Sequence, residues 1–163
     1  MNNIQIIFCA LLFFLLQLQL VDFLSLKLIR PDFLVIFVLY LSIYKGRIYG
    51  ILSGFFLGYT SNLFGIGSYF GLEPLSLTVV GYFGGYLKNI YDKLLPYAFH
   101  TIWVFIVLFY FFVTSYFRFQ NIYITDFSDF LRIWLLTFLY TMLFILSFQY
   151  IYPLKEASRA EIS

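Results

Sequence analysis

The chain has 163 residues, 63% hydrophobic and 11% charged, with a formal net charge of +2 and a mean hydropathy of +0.91. A water-soluble domain carries about 25% charged residues, so there is too little polar material here to coat a surface facing water. The composition describes an all-α integral membrane protein, and so small a net charge gives no footprint for nucleic acid and no polybasic arm for anionic lipid.

A membrane-spanning helix needs about 20 mostly apolar residues. Six segments approach that length: 4–21, 31–44, 48–64, 74–87, 97–117 and 130–152. They predict one six-helix transmembrane domain over residues 1–152, followed by a short, frayed cytoplasmic tail at 153–163. The opening "MNNIQIIFCALLFF" has no Lys or Arg before its apolar run and no small-residue cleavage site. It reads as a retained first helix rather than a removed signal peptide. Cys9, the single cysteine, forms no intrachain disulfide and belongs to no metal-type spacing.

Between the first and second segments lies "LIRPDFLVIF". Pro31 suits the first position of a helix, where its missing N–H is harmless. Arg30 and Asp32 are expected to hold that end in the headgroup layer, near enough to pair. The second segment is short, and Lys45 and Arg47 would snorkel at its far end. A re-entrant pairing of the second and third segments stays open.

All ten glycines lie between Gly46 and Gly85. Gly46, Gly50, Gly54 and Gly58 recur every four residues and lay a smooth stripe along the third helix. Gly81, Gly84 and Gly85 offer a second close-approach surface on the fourth. Membrane helices associate through such small-residue contacts, so the stripe serves either packing within the chain or docking of another membrane protein. "YTSNLFGIGSYFGLEPLS" then supplies the most polar stretch at apparent membrane depth. It reads either as an outer hairpin with Asn62 and Glu73 facing a cavity, or as a turn whose side chains satisfy loose backbone groups.

His100 stands alone near the start of the fifth helix, without the partners a metal needs. No serine-hydrolase, zinc-protease, Walker or dinucleotide motif is present. No pair of carboxylates is expected at membrane depth, since Asp126 and Asp129 are placed in the loop after Arg118. The expectation is a protein with no enzyme activity and no cofactor. With both termini inside, the inner segments hold Lys45, Arg47, Lys88, Lys93, Lys155 and Arg159, and the outer loops hold Lys27, Arg30, Arg118 and Arg132. That bias favours cytoplasmic termini.

Residues 28–90 form a connected pattern: Arg30-Pro31-Asp32 opening a short helix, a basic turn, the glycine helix, then a polar turn with Asn62, Gly65, Gly67 and Ser68. The pattern resembles the bacterial rod shape-determining protein family MreD. Where that family usually has an acidic residue after the glycine helix, this chain has Asn62, which keeps a carbonyl acceptor but no charge. The resemblance implies a non-enzymatic inner-membrane scaffold of cell-wall elongation that helps direct peptidoglycan synthesis. Its implied partners are the single-span protein MreC, RodA with its transpeptidase, and MreB indirectly. The family fold is similar to the substrate-binding S components of energy-coupling factor transporters, so a vitamin-binding subunit is the alternative. Within this pattern Asp32 is expected to fix the start of the second helix against the Asn62–Ser68 turn.

Overall fold

Helices occupy nearly all of the chain, because a backbone without water must satisfy its own N–H and C=O groups. The computed structural model describes residues 3–26, 28–65 and 69–159. In order these form α1 (Asn3–Leu24), α2 (Phe33–Lys45), α3 (Arg47–Leu63), α4 (Leu72–Gly84), α5 (Pro96–Arg118), α6 (Gln120–Thr125), α7 (Phe127–Ile151) and α8 (Leu154–Arg159). Two 3-10 turns, Gly85–Leu87 and Tyr91–Lys93, join α4 to α5. Among the described residues there is no β-strand, only an isolated antiparallel bridge between Leu26 and Ile29.

Three helices are long and apolar enough to cross a membrane: α1, α5 and α7, over Ile4–Val21, Tyr97–Arg118 and Phe127–Ile151. Of the six expected spans, the second to fourth are short as read, with 13, 17 and 13 residues in α2, α3 and α4. The 13 residues of α2 reach about 20 Å, against a hydrocarbon core of about 30 Å. Its environment explains how so short a helix is tolerated. Ten of its thirteen residues are buried, and it packs against α1, α3, α4 and α8. Protein, rather than lipid, surrounds both of its ends.

α2 begins at Phe33 with Asp32 as its N-cap, so Pro31 lies outside the helix rather than at its first position. At the other end Gly46 takes φ +99°, a conformation that side chains disfavour, and turns the chain directly into α3. Lys88 Nζ donates to the carbonyl of Lys45 at 3.1 Å, satisfying one of the open carbonyls that end α2.

The most extensive contact in the chain is between α3 and α4. The glycine stripe makes it. A Cβ on Gly50 would stand 2.5 Å from the Gly81 carbonyl oxygen, one on Gly54 2.5 Å from that of Leu77, and one on Gly58 2.5 Å from the Pro74 backbone. On the opposing surface, a Cβ on Gly81 would strike the Gly50 backbone, one on Gly84 would strike Ser42 of α2, and one on Gly85 would strike the Arg47 backbone. Gly46 stands apart, with only the Lys88 side chain near it. The face of α3 from Gly50 to Gly58 is therefore covered by α4, and no second chain reaches it without displacing that helix.

The polar stretch between α5 and α7 is not a plain loop. Residues 120–125 make α6, and Asp126 Oδ1 accepts from the N–H groups of Ser128 and Asp129 at 3.0 and 3.2 Å as the N-cap of α7. Asp129 lies in the first turn, in an exposed 3.7 Å pair with Arg132 that contributes at most about 1 kcal/mol.

The C-terminal segment also departs from expectation, because residues 154–159 are folded. Leu154, Ala157 and Ser158 of α8 are buried. Ser158 Oγ donates to the Leu87 carbonyl at 2.7 Å, and the Asn89 N–H donates to the Ser158 carbonyl at 2.9 Å. Residues 160–163 lie outside the described residues. Ser158→Ala is expected to leave the Leu87 carbonyl buried without its donor and to lower stability by about 1 kcal/mol. Faster backbone hydrogen exchange confined to α8 and residues 87–89 would show it.

Candidate functional site

The start of α2 is buried, so its first four N–H groups need acceptors that helical geometry cannot supply. Each finds one. The Asp32 N–H donates to Thr141 Oγ1 of α7 at 3.2 Å, and the Phe33 N–H to Gln17 Oε1 of α1 at 2.8 Å. Those of Leu34 and Val35 both donate to Asp32 Oδ1, at 2.9 and 3.3 Å.

The second oxygen of Asp32 faces outward from this cap and accepts from the Tyr110 hydroxyl of α5 at 2.5 Å. That same hydroxyl stands 3.2 Å from Glu73 Oε2 in the first turn of α4, while Arg118 Nη2 donates to Glu73 Oε1 at 3.3 Å. Glu73 is 5% exposed and Tyr110 3%. Two carboxylates, a phenol and a guanidinium thus meet where α1, α2, α4, α5 and α7 converge. The expectation that no carboxylates pair at this depth is overturned. The pair is Asp32 with Glu73, bridged by Tyr110, and not Asp126 with Asp129.

These groups line a cavity of about 200 Å³. Ser61, Thr114 and Thr137 add neutral polar walls, Leu18 and Phe119 apolar ones, and Arg30 lies exposed at the rim. A charged group in an apolar medium is costly unless paired. Arg118 sits where it offsets one carboxylate, and Arg30 adds a second positive charge to the lining.

The residues singled out from sequence divide here. Arg30, Pro31, Asp32, Gly65 and Glu73 all line the cavity. Asn62 does not: its Oδ1 and Nδ2 are buried without a hydrogen-bond partner among the described residues. Gly67 and Ser68 lie outside the described residues. Among the described residues Asp32 bonds to α5 and α7 and no ion pair joins it to Arg30, while Gly65 of the Asn62–Ser68 turn shares its cavity. Gly50, Gly54, Gly58 and Gly81 belong to the α3–α4 seam, whereas Gly46 faces the Lys88 side chain and Gly84 and Gly85 face Ser42 and Arg47.

Sequence reasoning missed Tyr110, Arg118, Gln17 and Thr141. A signal existed for the first two. Tyr110, Thr114 and Arg118 recur every four residues on α5, one polar line on an otherwise apolar helix. His100, by contrast, is held within its own helix and accepts at Nδ1 from Trp103 Nε1 at 3.0 Å. Among the described residues no three metal-type side chains gather in one place.

An all-helical protein with apolar helices of spanning length, tied together at one buried polar hub, is a membrane protein whose charges hold helices together. The sequence pattern of the rod shape-determining protein MreD family matches residues 1–154. The chain belongs to the MreD family, a family of cell-shape proteins in the bacterial inner membrane that is not a known enzyme family. No curated protein and no solved structure gives a match to the chain.

Proposed function

We propose that the chain is a non-enzymatic scaffold of the cell-wall elongation machinery, binding an MreC-like single-span protein and helping to direct peptidoglycan synthesis. RodA with its transpeptidase and, indirectly, MreB are further partners in this reading. The observation that carries it is the family match over residues 1–154 of the 163. In the bilayer, α1, α2, α3, α4, α5 and α7 form a six-helix domain, with the short helices sheltered by the long ones and both termini on the cytoplasmic side. Support for that orientation comes from the cavity that Cys9 of α1 lines together with Tyr44 and Tyr152, which brings the early part of α1 near the end of α7. Lys45 and Lys88 meet at the same end of α2.

Since α4 covers the glycine stripe, the partner helix docks on an outer face. The α4–α5 flank offers one: a groove of about 970 Å³ lined by Leu75, Val79, Phe83, Ile102, Phe105 and Phe109, among others. Phe83→Ala with Phe105→Ala removes two exposed rings without touching the core. Recovery of an MreC-like protein in detergent should fall about tenfold, equivalent to about 1.4 kcal/mol. Undiminished recovery with the folded double variant would exclude this face. The vitamin-binding alternative is favoured only by the polar cavity. A vitamin or an ATPase-coupled subunit purifying with the chain in place of the single-span protein would establish it instead.

A further inference from the structure

The polar cavity contains one hydrogen too few. The Tyr110 hydroxyl carries a single donor hydrogen, yet it lies 2.5 Å from Asp32 Oδ2 and 3.2 Å from Glu73 Oε2. If both acids are ionised, the hydrogen serves one of them. The other carboxylate then holds an oxygen against the phenol oxygen with nothing between two acceptors. Burial makes such an unmade contact costly.

The remaining donors decide where the missing hydrogen sits. Asp32 collects three: the Leu34 and Val35 N–H groups at Oδ1 and the Tyr110 hydroxyl at Oδ2. Its charge also stands at the N-terminus of α2, where helix dipoles favour an anion. At Glu73 the guanidinium of Arg118 reaches Oε1, which leaves Oε2 facing the phenol. Among the described residues no other titratable group contributes to the cavity. Its charged lining is Asp32 and Arg30 ahead of α2, Glu73 of α4 and Arg118 of α5, whereas α1, α3 and α7 present Gln17, Ser61 and Thr137.

We propose that this cavity is a proton-binding site in which Glu73 and Asp32 share one proton through Tyr110, with Glu73 Oε2 carrying it. The chain of donors then runs from the Glu73 carboxyl to the Tyr110 oxygen, and from the Tyr110 hydroxyl to Asp32 Oδ2. When the proton leaves Glu73 for cavity water, its O–H bond breaks and Tyr110 serves one acid only. The tie between the start of α4 and the start of α2 is lost, while the glycine seam between α3 and α4 is untouched. The site thus links proton occupancy to the joining of two helix starts, a property that goes beyond the scaffold reading and does not depend on any partner.

Infrared spectroscopy of the full-length chain in nanodiscs tests this directly. At neutral pH the unsubstituted protein should show a protonated-carboxyl C=O stretch. That band should shift when glutamate carboxyls are labelled with carbon-13, stay in place when aspartate is labelled, and vanish in Glu73→Gln. Absence of any acid band in the unsubstituted protein overturns the proposal, as does a band that follows the aspartate label. A band that survives in folded Glu73→Gln overturns the assignment to Glu73. The labelling arm uses the unaltered chain, so a poorly folding variant does not rescue the idea.

Discussion

Gly54→Leu is expected to abolish the folded state of the α3–α4 pair. The first added atom would already stand 2.5 Å from the Leu77 carbonyl oxygen and 2.6 Å from its carbon. Both are backbone in the middle of α4, so no side-chain rotation relieves the contact and the helices must separate. Overpacking commonly costs about 1–3 kcal/mol, and a clash against backbone lies at or beyond the upper end, about 3 kcal/mol or more. A control lies beyond the end of the same helix. Gly65, at φ +72°, has nothing among the described residues within 4 Å of an added Cβ, so Gly65→Ala is expected to bear left-handed backbone strain, about 1–2 kcal/mol. Unfolding of both variants in detergent should rank them clearly. A Gly54→Leu protein that unfolds like the unsubstituted one, yet loses a partner, would mean that the seam is not what the stripe is for.

Asp32→Ala should be the second most damaging single change. The carboxylate caps α2, and losing such a cap costs about 1 kcal/mol. It also leaves the buried Tyr110 hydroxyl short of its acceptor, about 1–3 kcal/mol more. The total expected is about 3 kcal/mol, with faster hydrogen exchange in the first turn of α2. Asp32→Asn keeps a side-chain oxygen for the cap and should recover part of this loss. An Asp32→Ala protein with unchanged stability would reduce the Arg30-Pro31-Asp32 triplet to a plain helix start.

The positions of the longer helices were legible because their cause is local. Runs of apolar residues set α1, α5 and α7, Pro96 begins α5, and Gly46 turns α2 into α3. The four-residue spacing of Gly50, Gly54 and Gly58 likewise announced a smooth helix face. What that face touches was not legible, since packing and docking require the same small residues. Asp126 looked like loop because a helix N-cap and a turn favour the same residue types. The tail looked frayed because a six-residue helix has little signal of its own. Its order comes from contacts such as Ser158 with Leu87, 71 positions away.

By itself, then, the sequence determined the class of protein, the places of the longer helices, and the landmarks Arg30, Pro31, Asp32 and the glycine ladder on which the family resemblance rested. Composition and periodicity are short-range properties, and the class and the helices follow from them, whereas the landmarks carry a resemblance. Only the tertiary structure decided that α4 covers the glycine ladder, and that Asp32 and Glu73 face one hydroxyl. Tyr110 is 78 positions from Asp32 and 37 from Glu73. No local rule selects that meeting. It arises because the buried start of α2 must satisfy its open N–H groups, and the acid that does so becomes the centre on which four other helices converge.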